Sequence, residues 1–349
     1  MHRGLPLLLF SLLGCKAGYI VRSGLFEASL LASRQPIDAV REAGQLSAAE
    51  EQALTVVAAA KRYGARIGLS ATDNYGTLAV GWDRTIWNLS ACDPLAFEAH
   101  TWWFPIVGRV PYLGYFRQAD AERKKAQLAS DGADVYLRTA GAFSTLGWFR
   151  DPLTPEMLTW EELDLAETVL HELAHATVWI RGSVSFNESL ASFVGEEAAL
   201  AYLIDRYGLG SPAHQAALAA REDARRWVAL QQGLYEELDA LYALGLPPDE
   251  ALARKGALFA SVPDRIVAAG LSEPERYLRS VARNPWNNAR LIQFRTYNDD
   301  RPSFEALLQA EGGDLVRFLS AVKRITRGAP DPFAALRAAV SGAPVHPNH

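Results

Sequence analysis

HELAH, at residues 171–175, and NESLAS, at residues 187–192, are the two phrases of this chain that predict a metal site built on two helices. Successive residues of an α-helix are rotated by about 100°, so side chains four residues apart share one face, about 6 Å apart. His171 and His175 are therefore expected to point at the same ion. Glu172 lies one step round the helix, beside the ion, where a carboxylate can accept a proton from water.

The two histidines leave one ligand to be found, because a catalytic zinc site has three protein ligands and a fourth position open to water or substrate. Residues 158–180 are largely apolar and contain neither Gly nor Pro, which predicts one helix that stops near Gly182. A second, antiparallel helix is predicted from about Asn187, and its first turn carries Glu188, the predicted third ligand. Two histidines and one carboxylate also hold iron in oxygenases, but the HExxH spacing favours zinc.

HELAH followed by NESLAS resembles the gluzincin metallopeptidases, whose third zinc ligand is the Glu of an Asn-Glu-x-x-Ala/Ser phrase on a following helix. The chain also resembles a family of bacterial lipoproteins described as putative aminopeptidases, over most of its mature length. This resemblance implies a zinc-dependent enzyme that acts on peptides. The phrases that carry it lie at residues 103–108, 112–116, 143–149, 171–175 and 186–191.

An edge strand before the HExxH helix binds the substrate in the resembling peptidases, because an extended peptide can add to a sheet edge through main-chain hydrogen bonds. Residues 142–147, with Ser144 and Thr145, are placed to be that strand and to bind substrate. An ordinary core strand would have the same pattern.

The α-ammonium group of an aminopeptidase substrate requires a carboxylate at the end of the cleft. The aminopeptidase N-like enzymes have a Glu in their edge strand for this purpose, but the equivalent residues 141–145 contain no acid. The preference for a free amine is therefore implied by the resemblance alone. The acids that remain as candidates are Asp151, Glu196 and Glu197.

The transition state of peptide hydrolysis needs a hydrogen-bond donor for the developing oxyanion, which a tyrosine or histidine usually supplies in this class. Tyr297 is the leading candidate and Tyr115 the alternative, although a tyrosine at the edge of the core would have the same pattern. Asn288 is expected to hydrogen-bond the substrate backbone. A ligating histidine usually donates its other ring N–H to a carboxylate or carbonyl group. The residues predicted to orient the ligands are Asn187, Ser192, Glu167 and Glu196.

The first residues resemble a lipoprotein signal peptide. The apolar run at residues 5–13 is much shorter than the ~20 residues that a membrane-spanning helix requires. Residues 12–15 then resemble a lipobox, so residues 1–14 are expected to be removed and Cys15 to be lipidated. An ordinary signal peptide or a buried strand is the alternative. A lipid tethers a protein to a membrane surface, and Lys16 after the cysteine favours the outer membrane, facing the periplasm.

The composition predicts a mildly acidic globular protein. The net charge of −5 becomes −6 when Arg3 leaves with the signal peptide, which argues against nucleic acid as a partner. Strand patterns lie at about 64–150 and helical patterns at about 155–330, without a linker between them. Residues 15–349 are therefore predicted to form a single metallopeptidase domain with an α+β fold, a small N-terminal sheet region before a mainly helical zincin-like region. The sequence does not indicate an oligomeric state.

Three functions fit these observations. The prediction is a zinc aminopeptidase that releases N-terminal residues from peptides in the cell envelope. The alternatives are a zinc endopeptidase on the same scaffold and an anchored binding or assembly lipoprotein without catalysis. Glu172 argues against the last, because a structural zinc site needs no base and normally closes its fourth position with Cys or His.

Overall fold

The fold is α+β, as the sequence predicts, with short antiparallel strands before a mainly helical region. The computed structural model describes residues 29–82, 85–104, 108–140, 151–298 and 300–341, with the backbone alone at residues 108, 140 and 295–298. Within these ranges, no helix combines the length and the apolar character needed to cross a membrane. The strands are β1 (Arg34–Pro36), β2 (Thr77–Ala79), β3 (Ile86–Cys92), β4 (Trp102–Phe104), β5 (Gly108–Val110), β6 (Tyr112–Tyr115) and β7 (Asp134–Ala140).

The helices with described bounds are numbered here in chain order. They are α1 (Ile37–Glu42), α2 (Ala48–Arg66), α3 (Gln118–Ser130), α4 (Glu162–Thr177), α5 (Val184–Tyr207), α6 (Pro212–Ala243), α7 (Pro248–Ala260), α8 (Val262–Ala268), α9 (Pro274–Arg283), α10 (Asn288–Asn298), α11 (Arg301–Ala310), α12 (Leu315–Thr326) and α13 (Pro332–Val340). A 3₁₀ turn at Met157–Thr159 precedes α4.

The three-stranded sheet has the order β6–β3–β7, with β3 antiparallel to both neighbours. Leu89 at the centre of β3 lies opposite Leu113 of β6 and Leu137 of β7. These side chains are buried, and Leu89 and Leu137 belong to the cluster that α3 covers. Two further antiparallel pairs are β1–β2 and β4–β5. Strand β1 lies before residues 64–150, the range in which strands were predicted. It is a strand because it pairs with β2, which comes later in the chain, and a local pattern does not indicate this pairing.

The main hydrophobic core is built around α4, the helix that contains HELAH. Leu165, Val169 and Leu170 on its inner face are completely buried. Helix α2 packs against α4, and α5 contributes Phe186 and Phe193 to the same core. Fully burying an apolar side chain of this size stabilises the fold by about 1.5–3 kcal/mol. The histidine helix is therefore held by two neighbouring helices, which gives the site a rigid support.

The turn between α4 and α5 differs from the prediction, because α4 ends at Thr177 instead of Ile180 and α5 begins at Val184 instead of near Asn187. The side chain of Asn187 explains the early stop. Its Oδ1 accepts a hydrogen bond from the backbone N–H of Ile180, and its Nδ2 donates to the carbonyl of Ile180, both at 2.8 Å. The N–H and carbonyl groups of Ile180 are therefore bonded to a side chain and not to the hydrogen bonds that would extend α4 through this residue.

Gly195 allows α5 to approach α4 at the first histidine. A Cβ at this position would lie 3.0 Å from the carbonyl oxygen of Glu167 and 3.1 Å from the Cβ of His171. Gly64 of α2 faces α4 from another side, but an added Cβ there would meet only the ends of leucine side chains, the nearest at 2.8 Å. The contact at Gly195 is thus with groups that cannot rotate away.

We expect Gly195→Ala to weaken metal binding by the predicted ligands about tenfold or more, since the added methyl group pushes α5, which carries Glu188, away from His171. Overpacking costs typically 1–3 kcal/mol of stability, partly offset by the better helix propensity of Ala. The matched variant Gly64→Ala should keep its zinc affinity. Zinc titration and urea denaturation of both variants measure this, and equal zinc affinities would contradict it.

Candidate metal centre

Three side chains converge where α4 meets the first turns of α5. The rings of His171 and His175 lie one turn apart, with centroids 4.7 Å from each other. The Oε2 atom of Glu188 is 3.6 Å from the Nε2 atom of each histidine. Ligand atoms at about 2.0–2.1 Å from a tetrahedral zinc are themselves about 3.3 Å apart. The two distances from Glu188 are thus close to the separation that one ion requires, all three ligand atoms lie within 4.8 Å of one another, and the group can hold a metal.

The cluster is shielded from solvent and carries an ionised carboxylate. The side chains of His171, His175 and Glu188 are 18%, 10% and 11% exposed. Burial alone would raise the pKa of Glu188, but the two imidazoles outweigh it and lower this pKa to about 2. Burial alone would lower the pKa of His175, but the Glu188 carboxylate outweighs it and raises this pKa. Two imidazole nitrogens and one carboxylate oxygen form a donor set that suits zinc.

Glu172 lies beside this cluster and is not one of its three members. Its side chain is partly exposed. Its charge acts on His175 and on the hydroxyl of Tyr75, raising the pKa of both. A carboxylate next to a metal centre, but not bound to it, has the position that a general base requires.

The residues predicted to orient the ligands take different roles. Asn187 is buried, and its amide is committed to the backbone of Ile180, so it fixes the turn between α4 and α5 instead of orienting an imidazole. The Nδ1 atom of His175 is buried, and no described residue is bonded to it. Ser192 lies one turn after Glu188 and is partly buried, and its orienting role stays a prediction.

The acids considered for the substrate ammonium group are already engaged. Glu196 forms an ion pair with Arg301 at 2.6 Å, and Glu197 forms one with Arg221. Asp151 is only 1% exposed. A carboxylate that binds an ammonium group must be accessible and not already neutralised by a cation. The structure therefore gives none of these three residues a free carboxylate for the α-amine.

Glu167 precedes His171 by one turn of α4 and is an unusual carboxyl group. Burial raises its pKa to about 8, with further contributions from the charges of Glu196 and Asp164, against the opposing effect of Arg301. The raised pKa favours the neutral form of this side chain in the folded protein. Its predicted role in orienting a ligand stays a prediction.

We expect Glu167→Gln to stabilise the protein increasingly as the pH rises from about 4.5 to about 8. In this range the unfolded chain loses the proton that the folded chain retains, so folding stability of the wild type falls with rising pH. Glutamine cannot ionise and avoids this loss. Thermal unfolding from pH 4 to pH 9 measures it, with about 2–4 °C in Tm for each kcal/mol. The control is Glu161→Gln, at the exposed residue that precedes the same helix. Parallel pH profiles for wild type and Glu167→Gln would contradict the prediction.

Asn288 has structural contacts in place of the predicted contact with substrate. This residue is 0% exposed. Its Oδ1 accepts a hydrogen bond from the hydroxyl of Tyr242 at 2.8 Å, and its Nδ2 donates to the carbonyl of Asp93 at 3.0 Å. Its backbone N–H donates to the Asp134 carboxylate at 2.8 Å. The amide thus joins α10 to α6 and to the sheet, and it has no accessible atom left for a substrate.

Other predicted site residues lie beyond what the structure describes. Tyr297 lies on α10, where the structure describes its backbone but not its side chain, so its role stays a prediction. The alternative, Tyr115, is partly buried on β6 opposite Trp87. The remaining predicted residues, outside the described ranges, are Ser144, Thr145 and Cys15.

Tyr75 is a residue at the site that the sequence did not reveal. Its φ of +60° is rare for a bulky residue. The side chain is 2% exposed, and its hydroxyl is buried without a hydrogen-bond partner. Burial raises its pKa well above the ordinary value, with the charges of Glu172 and Asp151 adding to the effect. In the sequence, residues 74–76 indicate only a turn, since a pattern cannot show where a tyrosine hydroxyl will point.

Comparison with protein families places this site in a known context. A family model described as "Putative aminopeptidase" matches residues 18–332. This range contains both α4 and α5, with all three members of the metal cluster. Comparisons with curated proteins and with solved structures found no match.

Proposed function

The chain belongs to the family described as "Putative aminopeptidase", and we propose from this premise that it is a zinc-dependent aminopeptidase. The observation that carries the proposal is the cluster of His171, His175 and Glu188 with Glu172 beside it. Zinc would be held by the two imidazoles and the Glu188 carboxylate. This arrangement, with one helix bearing HExxH and a carboxylate on the next, supports the proposed likeness to gluzincins.

The proposed reaction uses Glu172 as general base. Zinc, when bound, supplies Lewis acidity that lowers the pKa of water from about 15.7 to about 7 and polarises the peptide carbonyl. The Glu172 carboxylate takes the proton from the attacking water and returns it to the leaving amine. The rigid packing of α4 between α2 and α5 keeps the carboxylate and the imidazoles in register during this transfer.

A library of short peptides and its N-acetylated twin test the proposal. The purified full-length chain is loaded with zinc, and mass spectrometry identifies each cut. Release of single N-terminal residues from the free library alone supports an aminopeptidase. If the zinc-loaded protein cleaves neither library, the proposed function is wrong.

An endopeptidase is the second candidate, and one observation favours it. The three acids that we considered for the substrate ammonium group are paired with arginines or buried. An endopeptidase needs no such group. Internal cuts in both libraries would establish this alternative.

We expect Tyr75→Phe to lower kcat about tenfold or more while the Tm stays equal or rises. The variant removes a buried hydroxyl that has no partner, and such a group costs stability. The hydroxyl is retained in a left-handed backbone position where the charge of Glu172 reaches it, and we propose that it donates a hydrogen bond at the site once substrate is bound. The pH profile of kcat should shift with the loss of the hydroxyl. Tyr63→Phe, at another buried tyrosine, is the control, and an unchanged kcat and pH profile for Tyr75→Phe would contradict this role.

We also propose that a lipid on Cys15 tethers the enzyme to the cell envelope, facing the periplasm, where it would act on peptides. The support for this is the N-terminal sequence alone. Metabolic labelling with a radioactive fatty acid, compared between wild type and Cys15→Ser, tests it.

A further inference from the structure

The imidazole of His175 is held without the hydrogen bond that usually orients a metal ligand. Its Nε2 atom faces the Glu188 carboxylate at 3.6 Å, whereas its Nδ1 atom is buried and no described residue is hydrogen-bonded to it. A ligating imidazole usually donates this second N–H to a carboxylate or carbonyl oxygen, which fixes the rotation of the ring. A small cavity adjoins Glu188, but His175 does not line it, so a water held there is not a partner for this nitrogen. The ring therefore needs another contact to fix its rotation.

Two aromatic rings pack against this imidazole, one from four residues before it and one from four residues after it. The ring of His171 lies 4.7 Å away between centroids, at an angle of 87°. The indole of Trp179 lies 5.5 Å away at 69°, again edge to face. Such pairs are favourable because the positive edge of one ring meets the negative face of the other. His171 belongs to the metal cluster itself, so Trp179 is the ring partner that comes from outside the cluster.

The backbone on both sides of Trp179 is fixed. The N–H of Val178 donates to the carbonyl four residues earlier at 2.9 Å, which continues the helical pattern one residue past the end of α4. On the other side, both backbone groups of Ile180 are bonded to the side chain of Asn187. Val178 is buried, but Trp179 is 43% exposed. The indole is thus held beside His175 by its backbone and not by burial in the core.

A single exposed apolar side chain is common on protein surfaces and needs no explanation by itself. Two observations on the same imidazole distinguish Trp179 from such a residue. Its indole packs edge to face on the His175 ring, and the Nδ1 atom of that ring is the one without an oxygen partner. An aromatic face is a weak acceptor for an N–H group, so the first observation can account for the second.

We propose that Trp179 positions His175 for metal binding, with the Nδ1–H of the imidazole directed at the face of the indole. The inference rests on the metal cluster of the proposed function and not on the cleavage of peptides. A metal bound at Nε2 withdraws electron density from the imidazole and makes the Nδ1–H more positive. Indole is the aromatic group that attracts positive charge most strongly. Trp179 is thus a positioning residue, which acts on the metal only through His175.

Metal affinity tests this positioning in the full-length chain. Zinc titrations compare the wild type with Trp179→Leu and Trp179→Phe. Trp179→Leu keeps an apolar side chain without an aromatic face, and it should bind zinc about tenfold more weakly. Trp179→Phe keeps an aromatic face and should restore most of the affinity. Trp103→Leu, at an exposed tryptophan of β4, is the matched control, and equal affinities for the wild type and Trp179→Leu would overturn the proposal.

Two spectra distinguish the orientation of His175 from an effect on stability. In NMR of the zinc-loaded wild type, the Nδ1–H proton of His175 should lie upfield of an ordinary imidazole N–H, because the indole ring current shields it. This signal should move downfield in Trp179→Leu. The visible absorption of the cobalt-loaded protein depends on ligand geometry, and it should change in Trp179→Leu and return in Trp179→Phe. An unshifted Nδ1–H signal in the wild type would overturn the proposal even if a variant does not fold.

These measurements separate the inference from the proposed function, because none of them requires cleavage of a peptide. Weaker zinc binding by Trp179→Leu, with rescue by Trp179→Phe, supports the positioning role even if the wild type cleaves nothing. Cleavage by the wild type, with the same zinc affinity in Trp179→Leu, would leave the peptidase standing and remove the role of Trp179. A wild type that binds neither zinc nor cobalt would contradict both.

Discussion

Glu172→Gln should reduce kcat/KM for peptide hydrolysis by about 10³-fold while zinc remains bound. A general base contributes typically 10²–10⁴-fold, and glutamine has nearly the same shape but cannot accept the proton from water. Because Glu172 is outside the cluster of His171, His175 and Glu188, its replacement leaves all three proposed ligands in place. Steady-state kinetics on a peptide cleaved by the wild type, together with the zinc content of the purified variant, measure both parts.

The control for this variant is Glu161→Gln, which changes an exposed carboxylate at the start of the same helix. It should keep the activity of the wild type. Hydrolysis by Glu172→Gln at a rate within a few-fold of the wild type would exclude Glu172 as the base. Loss of zinc in Glu172→Gln would show instead that this carboxylate is needed for metal binding.

Glu188→Gln should abolish most of the stabilisation that zinc confers. A ligand that binds only the folded state, at 100 times its Kd, adds about 2.7 kcal/mol of stability. Losing an outer residue that orients a ligand typically costs 10–100-fold in metal affinity, so losing the carboxylate ligand itself should cost more. The zinc-dependent rise in Tm should therefore nearly vanish at a zinc concentration that saturates the wild type.

Thermal unfolding with zinc and with a chelator measures this effect, and a direct zinc titration gives the change in Kd. Glu237→Gln is the matched control, since this carboxylate is paired with Arg265 at 2.5 Å and is absent from the metal cluster. The control should lose some stability with and without zinc alike. A full zinc-dependent rise in Tm for Glu188→Gln would mean that the third ligand is another residue.

The parts of the site that lie close together in the chain could be predicted from the sequence. HELAH places two imidazoles on one face of a helix because the helical repeat fixes their separation. The phrase with Glu188 follows after a short turn, and a short turn forces the two helices to lie side by side. The same local patterns predicted the α+β order of strands and helices.

The surroundings of the site depend on contacts between distant residues. Asn288 was predicted to bind substrate, but its amide is bonded to Asp93, almost two hundred residues earlier. Glu196 was a candidate for the substrate amine, but it is paired with Arg301 from another helix. No local pattern indicates which distant donor or cation a polar side chain will meet.

Local sequence patterns were therefore enough to predict the cluster of His171, His175 and Glu188, the place of Glu172 beside it and the α+β class of the fold. Contacts made only in the folded chain set where α4 stops, why α5 needs Gly195, that Tyr75 is buried and that a cavity adjoins Glu188. The physical reason is the range of the interactions. Helical geometry acts over four residues, whereas burial, ion pairs and cavities are set by segments that meet only when the chain is folded.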